Sequence, residues 1–244
     1  MDPNPANSPE QLLLDKEKAL QSALTRCHGA LIQTVYAISA VEAHHDPYTG
    51  KHQRSVGALS FAIGRTLGLE IGRLEGLYLG AMLHDVGKVA IPKEVLMKPS
   101  SLTPEEYALV KTHTRTGPEI LAGISLPWPL GTIVAQHHER LDGSGYPQGL
   151  RAEAICLEAR IVAVADVFDA ICERRPYRQA SGVRVALEEL DRAAGRTLDA
   201  AVVGALKATV TGEEQDLPEL LSRLQAEVPE ADFVAEFAAR PGAG

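Results

Sequence analysis

The sequence predicts an all-α fold, a bundle of helices with a long N-terminal helix leading into it and a short helical tail after it. Apolar residues recur at spacings of three and four along most of the chain, which is the period of an amphipathic helix. Strand-like alternation is weak throughout, and capping residues precede some of the segments. With 244 residues, of which 45% are hydrophobic, the chain can bury a sizeable core.

The leading helix is expected at about 11–45, after a polar start at 1–10 that is predicted to be disordered. Its apolar stripe is close to a heptad pattern and ends where Asp46-Pro47 breaks the helix. Such a stripe fits packing on the helix's own domain and pairing with a second protomer equally well, so a homodimer through this helix stays open. The stripe consists of Leu13, Leu20, Leu24, Cys27, Leu31, Val35 and Ile38.

The later helices follow from apolar faces and terminal signals. One begins near His52 and stops at Gly68, and another near 71–86 runs into the segment LHDVGK. Thr103 is expected to cap a further helix, with Glu106 completing a capping box. The His52 helix carries Val56, Leu59, Ile63 and Leu67 on one face, and the remaining helices are expected at about 117–124, 130–140, 156–173, 182–194 and 199–210, with a tail helix capped by Asp216.

Composition excludes several classes of protein. The net charge of −8 argues against a partner that is a nucleic-acid polymer, although an anionic ligand could bind at a local cationic site. No apolar run reaches the ~18 residues of a spanning helix, and the polar first ten residues do not form a signal peptide. Cys27, Cys156 and Cys172 are odd in number and make no CxxC pair, which suits a reducing compartment. We therefore expect a cytoplasmic protein without membrane insertion.

Histidines beside carboxylates are the candidates for chemistry. The segment LHDVGK places His84 next to Asp85, and QHHER supplies His137 and His138. The segment KTHTRTG contributes His113, which is expected on the exposed side of a capped helix.

A second signal is the apolar segment ARIVAVADVFDAI, which Asp166 and Asp169 interrupt on one helical face. A carboxylate in such a helix is costly unless it is paired or binds a metal. Imidazole and carboxylate without thiolate suit manganese, iron or zinc. Six or seven such ligands exceed one tetrahedral zinc site, so they predict two ions bridged by a carboxylate, an arrangement used to attack phosphodiesters.

Several motifs, in order along the chain, resemble the HD-GYP subfamily of the HD-domain metal-dependent phosphohydrolases. They are DPYTGKHQRSV, LHDVGKVAIP, KPSSLTPEEY, KTHTRTG, HHERLDGSGYP, ARIVAVADVFDA and RPYR, and the fifth matches HHExxDGxGYP. The resemblance covers roughly residues 31 to 210. It implies an HD-domain helical bundle that hydrolyses cyclic di-GMP to linear pGpG, with some members continuing to GMP, and that uses iron or manganese.

The resemblance divides the chain into three parts and assigns its site residues. The parts are a disordered start with a leader helix (1–30), an HD-GYP catalytic domain (31–212) and a C-terminal helical tail (213–244). By this resemblance one ion is held by His52, His84, Asp85 and Asp166, and the other by Asp85, His113, His137 and His138, with Asp85 bridging.

Two ions would lower the pKa of a water between them from about 15.7 toward about 7, so that no side-chain general base is needed. Lys88 is expected to contact phosphate or assist the leaving oxygen, with an ordinary helix-end cation as the alternative. Arg175 and Arg178 resemble a phosphate-contacting pair, for which a solvated helix end is the alternative.

Asp169 would support the ligands from behind. Some members hold a third ion; Glu42 is the only nearby candidate here, and two ions are favoured.

The loop of the HHERLDGSGYP motif is expected to lie beside the site. Its glycines, including Gly145, let the backbone turn close to the substrate, and Tyr146 with Pro147 gives it a stiff, exposed apolar tip. By resemblance the loop borders the substrate or docks partners, including diguanylate cyclase (GGDEF) domains. His44 and His45 are expected at the surface or behind the ligands.

Two alternatives remain to an enzyme that cleaves cyclic di-GMP. One is a catalytically silent module that binds a cyclic dinucleotide or a diguanylate cyclase. The other keeps the chemistry and changes the substrate to another cyclic dinucleotide, such as cyclic GMP-AMP. The residues that would recognise guanine cannot be identified from the sequence, so this choice depends on the resemblance.

Overall fold

The computed structural model describes residues 9–45, 49–172, 182–210 and 217–228. Within these ranges the regular structure is helical and contains no strand, which confirms the predicted all-α class. No helix in the described ranges is long and apolar enough to cross a membrane. The α-helices are α1 (Pro9–His45), α2 (Thr49–Thr66), α3 (Ile71–Met82), α4 (Lys93–Leu96), α5 (Pro104–Lys111), α6 (His113–Leu121), α7 (Leu130–Gln136), α8 (Leu157–Cys172), α9 (Gly182–Ala193), α10 (Ala200–Thr209) and α11 (Leu217–Ala226).

The chain divides into two compact units. One comprises residues 1–34 and 229–244, of which the structure describes 9–34, and the other comprises residues 35–228. In the first unit α1 begins at Pro9, inside the stretch predicted to be disordered. The leucines of its first turns, Leu13 and Leu20 among them, are exposed. The proposed caps and breaks at Asp46-Pro47 and Asp216 lie outside the described residues.

Helix α2 is central to the larger unit. It packs against α3, α8, α10 and α11. Val56, Leu59 and Ile63 are buried as predicted, but every residue of 55–64 is buried, so the helix has no solvent face there. Burial extends beyond the predicted apolar face, because helices cover α2 on several sides. Gly68 ends it at a φ of 77°, which confirms the predicted stop.

The segment after α3 departs from the predicted helix at 71–86. The α-helix ends at Met82, and a short 3-10 helix follows at Val86–Ala90. Gly87 lies in this segment, and an added Cβ there would lie 2.1 Å from the His113 carbonyl oxygen. The tight turn thus crosses the start of α6 in near backbone contact.

The capping box of α5 is confirmed. The Thr103 hydroxyl accepts from the Glu106 amide at 3.2 Å, and the Glu106 carboxylate accepts from the Thr103 amide at 2.7 Å. The helix stops at Lys111, however, and α6 starts anew at His113. His113 is fully buried at this new start. The prediction that His113 lies on the exposed side of the capped helix was therefore wrong.

Candidate metal centre

Helix ends bring the predicted ligands together in the larger unit. His52 lies in the first turns of α2, and His84 and Asp85 lie in the turn after α3. His113 opens α6, and His137 with His138 follows α7. Two groups of possible ligand atoms, each within 4.8 Å of one another, result: the His52 group (His52, His84 and Asp85) and the triple-histidine group (Asp85, His113, His137 and His138).

Backbone carbonyls orient three of these imidazoles in the same way. The Nδ1 atoms of His84, His113 and His137 lie 2.7, 2.6 and 2.8 Å from the carbonyl oxygens three residues earlier, those of Ala81, Val110 and Val134. A carbonyl only accepts, so each Nδ1 carries the proton and donates it. In the neutral ring each Nε2 is then a lone pair, which is the form that binds a metal.

A carboxylate orients the fourth ring. The Nδ1 atom of His52 lies 2.6 Å from Asp169 Oδ2, and its Nε2 lies 3.2 Å from Asp166 Oδ1. Asp166 and Asp169 both project from α8, so this helix fixes the His52 ring through its two nitrogens. Asp166 lies outside the compact His52 group, and its role as a ligand stays a prediction.

Asp85 is shared by the two groups and presents one oxygen to each. Its Oδ2 lies 3.2 Å from His84 Nε2 and accepts from Lys88 Nζ at 2.5 Å. Its Oδ1 lies 3.4 Å from His113 Nε2 and 3.9 Å from His137 Nε2. Asp85 is thus the one residue common to both groups.

The donor atoms fit a metal ion better than they fit one another. His113 Nε2 and His137 Nε2 face each other at 3.4 Å, although their Nδ1 atoms already carry the protons. His84 Nε2 and Asp85 Oδ1 are buried and make no hydrogen bond within the described residues. Unsatisfied lone pairs of this kind are costly when buried and are relieved by a cation. Nitrogen and oxygen donors without thiolate suit iron, manganese or zinc.

Protonation differs between the two groups. In the triple-histidine group burial lowers the pKa of His113, and burial with the neighbouring imidazoles holds the pKa of His137 far below its usual value. Burial likewise lowers the pKa of His138 to about 3. These three imidazoles are therefore neutral and ready to bind a cation at neutral pH.

In the His52 group the pKa of each imidazole is raised instead; for His84, burial opposes the charge but Asp85 prevails. Burial opposes the charge on His52, but its hydrogen bonds to Asp166 and Asp169 prevail and raise the pKa to about 10. Burial also opposes the charge on Asp85, and Lys88 and His84 nevertheless hold the pKa of that carboxyl well below its usual range. Asp166 has a similarly lowered pKa, because the His52 hydrogen bond outweighs its burial.

Glu42 lies behind the His52 group and is 1% exposed. Gln53 donates a hydrogen bond to it, and Ser39 donates to Gln53 at 2.5 Å. Burial, and next the negative charge of Asp85, raises the pKa of Glu42 to about 8. The carboxyl of Glu42 lies outside both ligand groups.

The loop of residues 139–150 folds back on the site. The Tyr146 ring is half-buried and stacks on the His138 ring at 4.7 Å and 29°, so the expectation of an exposed tip was wrong. Gly145 is required by close approach to the loop's own backbone, because an added Cβ would lie 2.4 Å from the Arg140 nitrogen. The stacking of Tyr146 on His138 depends on tertiary contacts, which a local turn motif does not encode.

The sequence reading missed Glu139. Its carboxylate is buried and accepts from the backbone amides of Gln148 at 2.7 Å and Leu150 at 2.9 Å. Glu139 therefore holds the two ends of the loop together, and it belongs to neither ligand group. The signal in the sequence is a carboxylate directly before a loop. The backbone amides of such a loop need hydrogen-bond acceptors, and this carboxylate can supply them.

Some predicted residues are not joined to the cluster. Arg175 and Arg178 lie outside the described residues, as does the side chain of His45. His44 is exposed near the end of α1, where it lines a surface pocket with Val41, Val89 and Lys93.

Comparisons with known proteins identify the family of this chain. A family model described as an HD domain matches residues 37–202. The cyclic di-GMP phosphodiesterase response regulator RpfG of Xanthomonas campestris is 38% identical over 203 residues, which cover 82% of this chain and 54% of the relative. The 3'3'-cGAMP-specific phosphodiesterase 1 of Vibrio cholerae is 40% identical over 131 residues, covering 54% of this chain and 30% of the relative.

A solved structure shows the same fold. It is the HDG"Y"P protein Bd1817 of Bdellovibrio bacteriovorus, with a TM-score of 0.55, 24% identity, and coverage of 80% of this chain and 63% of that one. The chain spans about half the length of the first curated relatives that it matches. The family match, the shared fold and the HHExxDGxGYP pattern together establish that this chain belongs to the HD-domain family, in its HD-GYP branch.

Proposed function

We propose that this chain is a metal-dependent phosphodiesterase that hydrolyses cyclic di-GMP to pGpG, with GMP as the product of a second cleavage. One observation carries the proposal: buried imidazole lone pairs converge on Asp85, whose two oxygens face separate ligand groups. Relatives that match most of this chain are named cyclic di-GMP phosphodiesterases. The three cysteines, odd in number and outside any CxxC pair, are in keeping with action in the cytoplasm.

The ligand sets follow the two groups. His52, His84, Asp85 and Asp166 would hold one ion, and Asp85, His113, His137 and His138 would hold the other, with iron or manganese favoured. Two such ions supply Lewis-acid activation of water and stabilise charge on the phosphate oxygens. Two ions are proposed rather than three, because the carboxyl of Glu42 lies outside both ligand groups.

The protein's own groups orient this chemistry. The Ala81, Val110 and Val134 carbonyls fix the ring tautomers, and Asp169 does the same for His52. Lys88 holds a proton at Nζ beside Asp85 and can give it to the leaving oxygen of the phosphodiester. Arg175 and Arg178 are proposed to bind the phosphates. The loop with Gly145 and Tyr146 would border the substrate, since Tyr146 covers His138.

A second substrate has a specific observation in its favour. A relative 40% identical to the central part of this chain is named a 3'3'-cGAMP-specific phosphodiesterase. Cyclic GMP-AMP presents the same phosphodiester linkages to the metal ions, so the centre itself does not discriminate between the two. A silent binding module is disfavoured, because the convergent lone pairs would serve no purpose in it.

Two partner surfaces are part of the proposal. The loop of residues 139–150 is proposed to dock a GGDEF domain, because its motif resembles that of the HD-GYP subfamily. The heptad stripe of α1 is proposed to pair with a second copy, because Leu13 and Leu20 are each 62% exposed within the smaller unit.

The test is made on protein purified without oxygen. Bound iron and manganese are counted by mass spectrometry, and cyclic di-GMP and 3'3'-cyclic GMP-AMP are offered in parallel and followed by chromatography. Two ions per chain with pGpG as product is the expected result. Faster cleavage of cyclic GMP-AMP would assign the second substrate. Tight binding of either nucleotide without turnover, at full metal content, would refute the enzyme.

A further inference from the structure

His138 is fixed differently from the other predicted histidine ligands. Each of the other four donates from Nδ1 to a carbonyl or carboxylate at 2.6–2.8 Å. Within the described residues, His138 makes ring contacts in place of such a bond. Its ring lies 4.1 Å from that of His137, 5.1 Å from that of His113 and 4.7 Å from that of Tyr146. Of these three, only Tyr146 is stacked on it, at 29°.

A lysine fixes Tyr146 in turn. The Nζ atom of Lys111, the last residue of α5, lies 5.1 Å from the centre of the Tyr146 ring and 4.6 Å from that of the Tyr107 ring. Both distances are within the ~6 Å range of a cation–π contact. Within the described residues Lys111 forms no ion pair, so its ammonium is committed to these two rings.

We propose that Lys111 is a positioning residue that sets the orientation of His138 through the Tyr146 ring. The chain Tyr107–Lys111–Tyr146–His138 takes the place of the carbonyl that orients each of three other histidines. Its effect on turnover rests on the proposed function, whereas its effect on the loop does not.

The geometry explains why a cation is needed at this position. Glu139 ties the ends of the loop at Gln148 and Leu150, and both of these hydrogen bonds go to backbone amides, not to the Tyr146 side chain. Lys111 joins that ring to α5, a helix whose start is fixed by the Thr103 capping box. A methionine at position 111 would keep the length and apolar stem and lose the attraction to both rings. An arginine would keep the charge and stack on the rings equally well.

The experiment compares Lys111→Met, Lys111→Arg and wild type, with Lys98→Met as the control. Lys98 precedes α5 and pairs with Glu106 of that helix, and among the described residues it makes no cation–π contact with either tyrosine. Hydrogen exchange is measured by mass spectrometry over residues 139–150 in metal-free protein, and Mn²⁺ affinity is measured by calorimetry.

Lys111→Met is expected to speed exchange of the loop by about five-fold, which corresponds to one lost cation–π contact of about 1 kcal/mol. It is also expected to weaken Mn²⁺ binding at the triple-histidine group by about ten-fold, the lower end for loss of a group that orients a ligand. Lys111→Arg and Lys98→Met should stay within about two-fold of wild type.

Unchanged loop exchange in Lys111→Met, or an equal change in Lys98→Met, would overturn the inference. A loosened loop with unchanged Mn²⁺ affinity would also overturn it, because His138 would then be oriented without Tyr146. If Lys111→Met behaves as expected but the wild-type enzyme cleaves no cyclic dinucleotide, the proposed function fails and the positioning role stands. A wild-type chain that binds no Mn²⁺ would overturn both.

Discussion

The two ligand groups share Asp85 and differ in how their imidazoles are held and protonated. Three neutral rings form the triple-histidine group, two of them fixed by backbone carbonyls and the third by stacking. The His52 group contains an imidazolium that Asp166 and Asp169 hold, with a pKa of about 10. One group therefore offers lone pairs directly, and the other stores a proton where a metal would bind.

The difference predicts an order of loading. A metal and a proton compete for the same nitrogen, so an ion entering the His52 group must displace the proton from His52 Nε2. The Nδ1 proton can stay in its hydrogen bond to Asp169. No proton needs to leave His113, His137 or His138, whose pKa values lie below their usual range. Near pH 7 we expect the first ion to enter the triple-histidine group.

Removing the shared carboxylate should have the largest effect. Asp85→Ala is expected to lower turnover of cyclic di-GMP by more than about 10³-fold, beyond the loss of a single stabilising donor at a transition state. It should also lower metal content at both groups, since each loses an oxygen. Metal analysis and product chromatography on the same sample test this. Turnover retained in Asp85→Ala would rule out the two-metal assignment.

The two groups can be separated by one substitution in each. His52→Gln and His137→Gln are each expected to lower the metal content from two ions to one and to reduce turnover by at least about 100-fold, since both ions act on the same phosphate. Calorimetry in two buffers of different ionisation enthalpy then counts the protons released on Mn²⁺ binding.

The count should differ between these variants. His137→Gln retains the His52 group and should release at least one proton per ion, because the His52 pKa of about 10 lies above the buffer pH and the His84 pKa is also raised. Its Mn²⁺ affinity should accordingly rise about ten-fold per pH unit between about pH 7 and 9. His52→Gln retains the neutral group and should release almost none. Equal proton counts would contradict the comparison.

The support behind His52 is the next largest effect. Asp169→Ala is expected to lower Mn²⁺ affinity of the His52 group and turnover by about 10–100-fold, as for other groups that orient a metal ligand. Asp169→Asn keeps an oxygen to accept the Nδ1 proton and should lose less. Titration of Mn²⁺ into both variants tests this, and the triple-histidine group serves as an internal reference. Equal losses in the two variants would show that the charge of Asp169, not its orienting hydrogen bond, supports His52.

Gly87 joins the turn that carries Asp85 to the helix that begins with His113. Gly87→Ala is expected to destabilise the protein by about 3 kcal/mol, at the upper end for overpacking, because the new Cβ would meet a backbone oxygen that cannot swing away. Gly204→Ala is the matched control: nothing lies within 4 Å of its added Cβ, and alanine there should stabilise α10 by about 0.5–1 kcal/mol. Urea unfolding measures both. A neutral Gly87→Ala would mean that the turn and α6 do not cross so closely.

The sequence predicted what local chemistry determines. The capping box at Thr103, the stop at Gly68 and the all-α class all follow from short-range rules and are confirmed. Burial of His113 does not follow from such rules, because it depends on α5 ending at Lys111 and on the crossing at Gly87. Tyr146 was misjudged for the same reason, since its ring is held by residues of a distant helix.

The prediction with the smallest expected effect concerns Glu42, which lies near the His52 group. Its pKa is raised from 4.5 to about 8 in the folded chain, so between these values the folded state holds a proton that the unfolded state has released. Stability of the metal-free protein should therefore fall as pH rises from about 4.5 to about 8. Glu42→Gln is neutral throughout and should be close to wild type near pH 5 but melt at least about 2–4 °C higher near pH 8, the shift that ~1 kcal/mol produces in a chain of this size and a lower bound for this pKa difference. Thermal unfolding with a chelator present measures the difference, and Gln53 can still donate to the new amide oxygen. Equal melting temperatures near pH 8 would show that Glu42 is ionised in the folded protein, and the negative charge around Asp85 would then be larger than we infer.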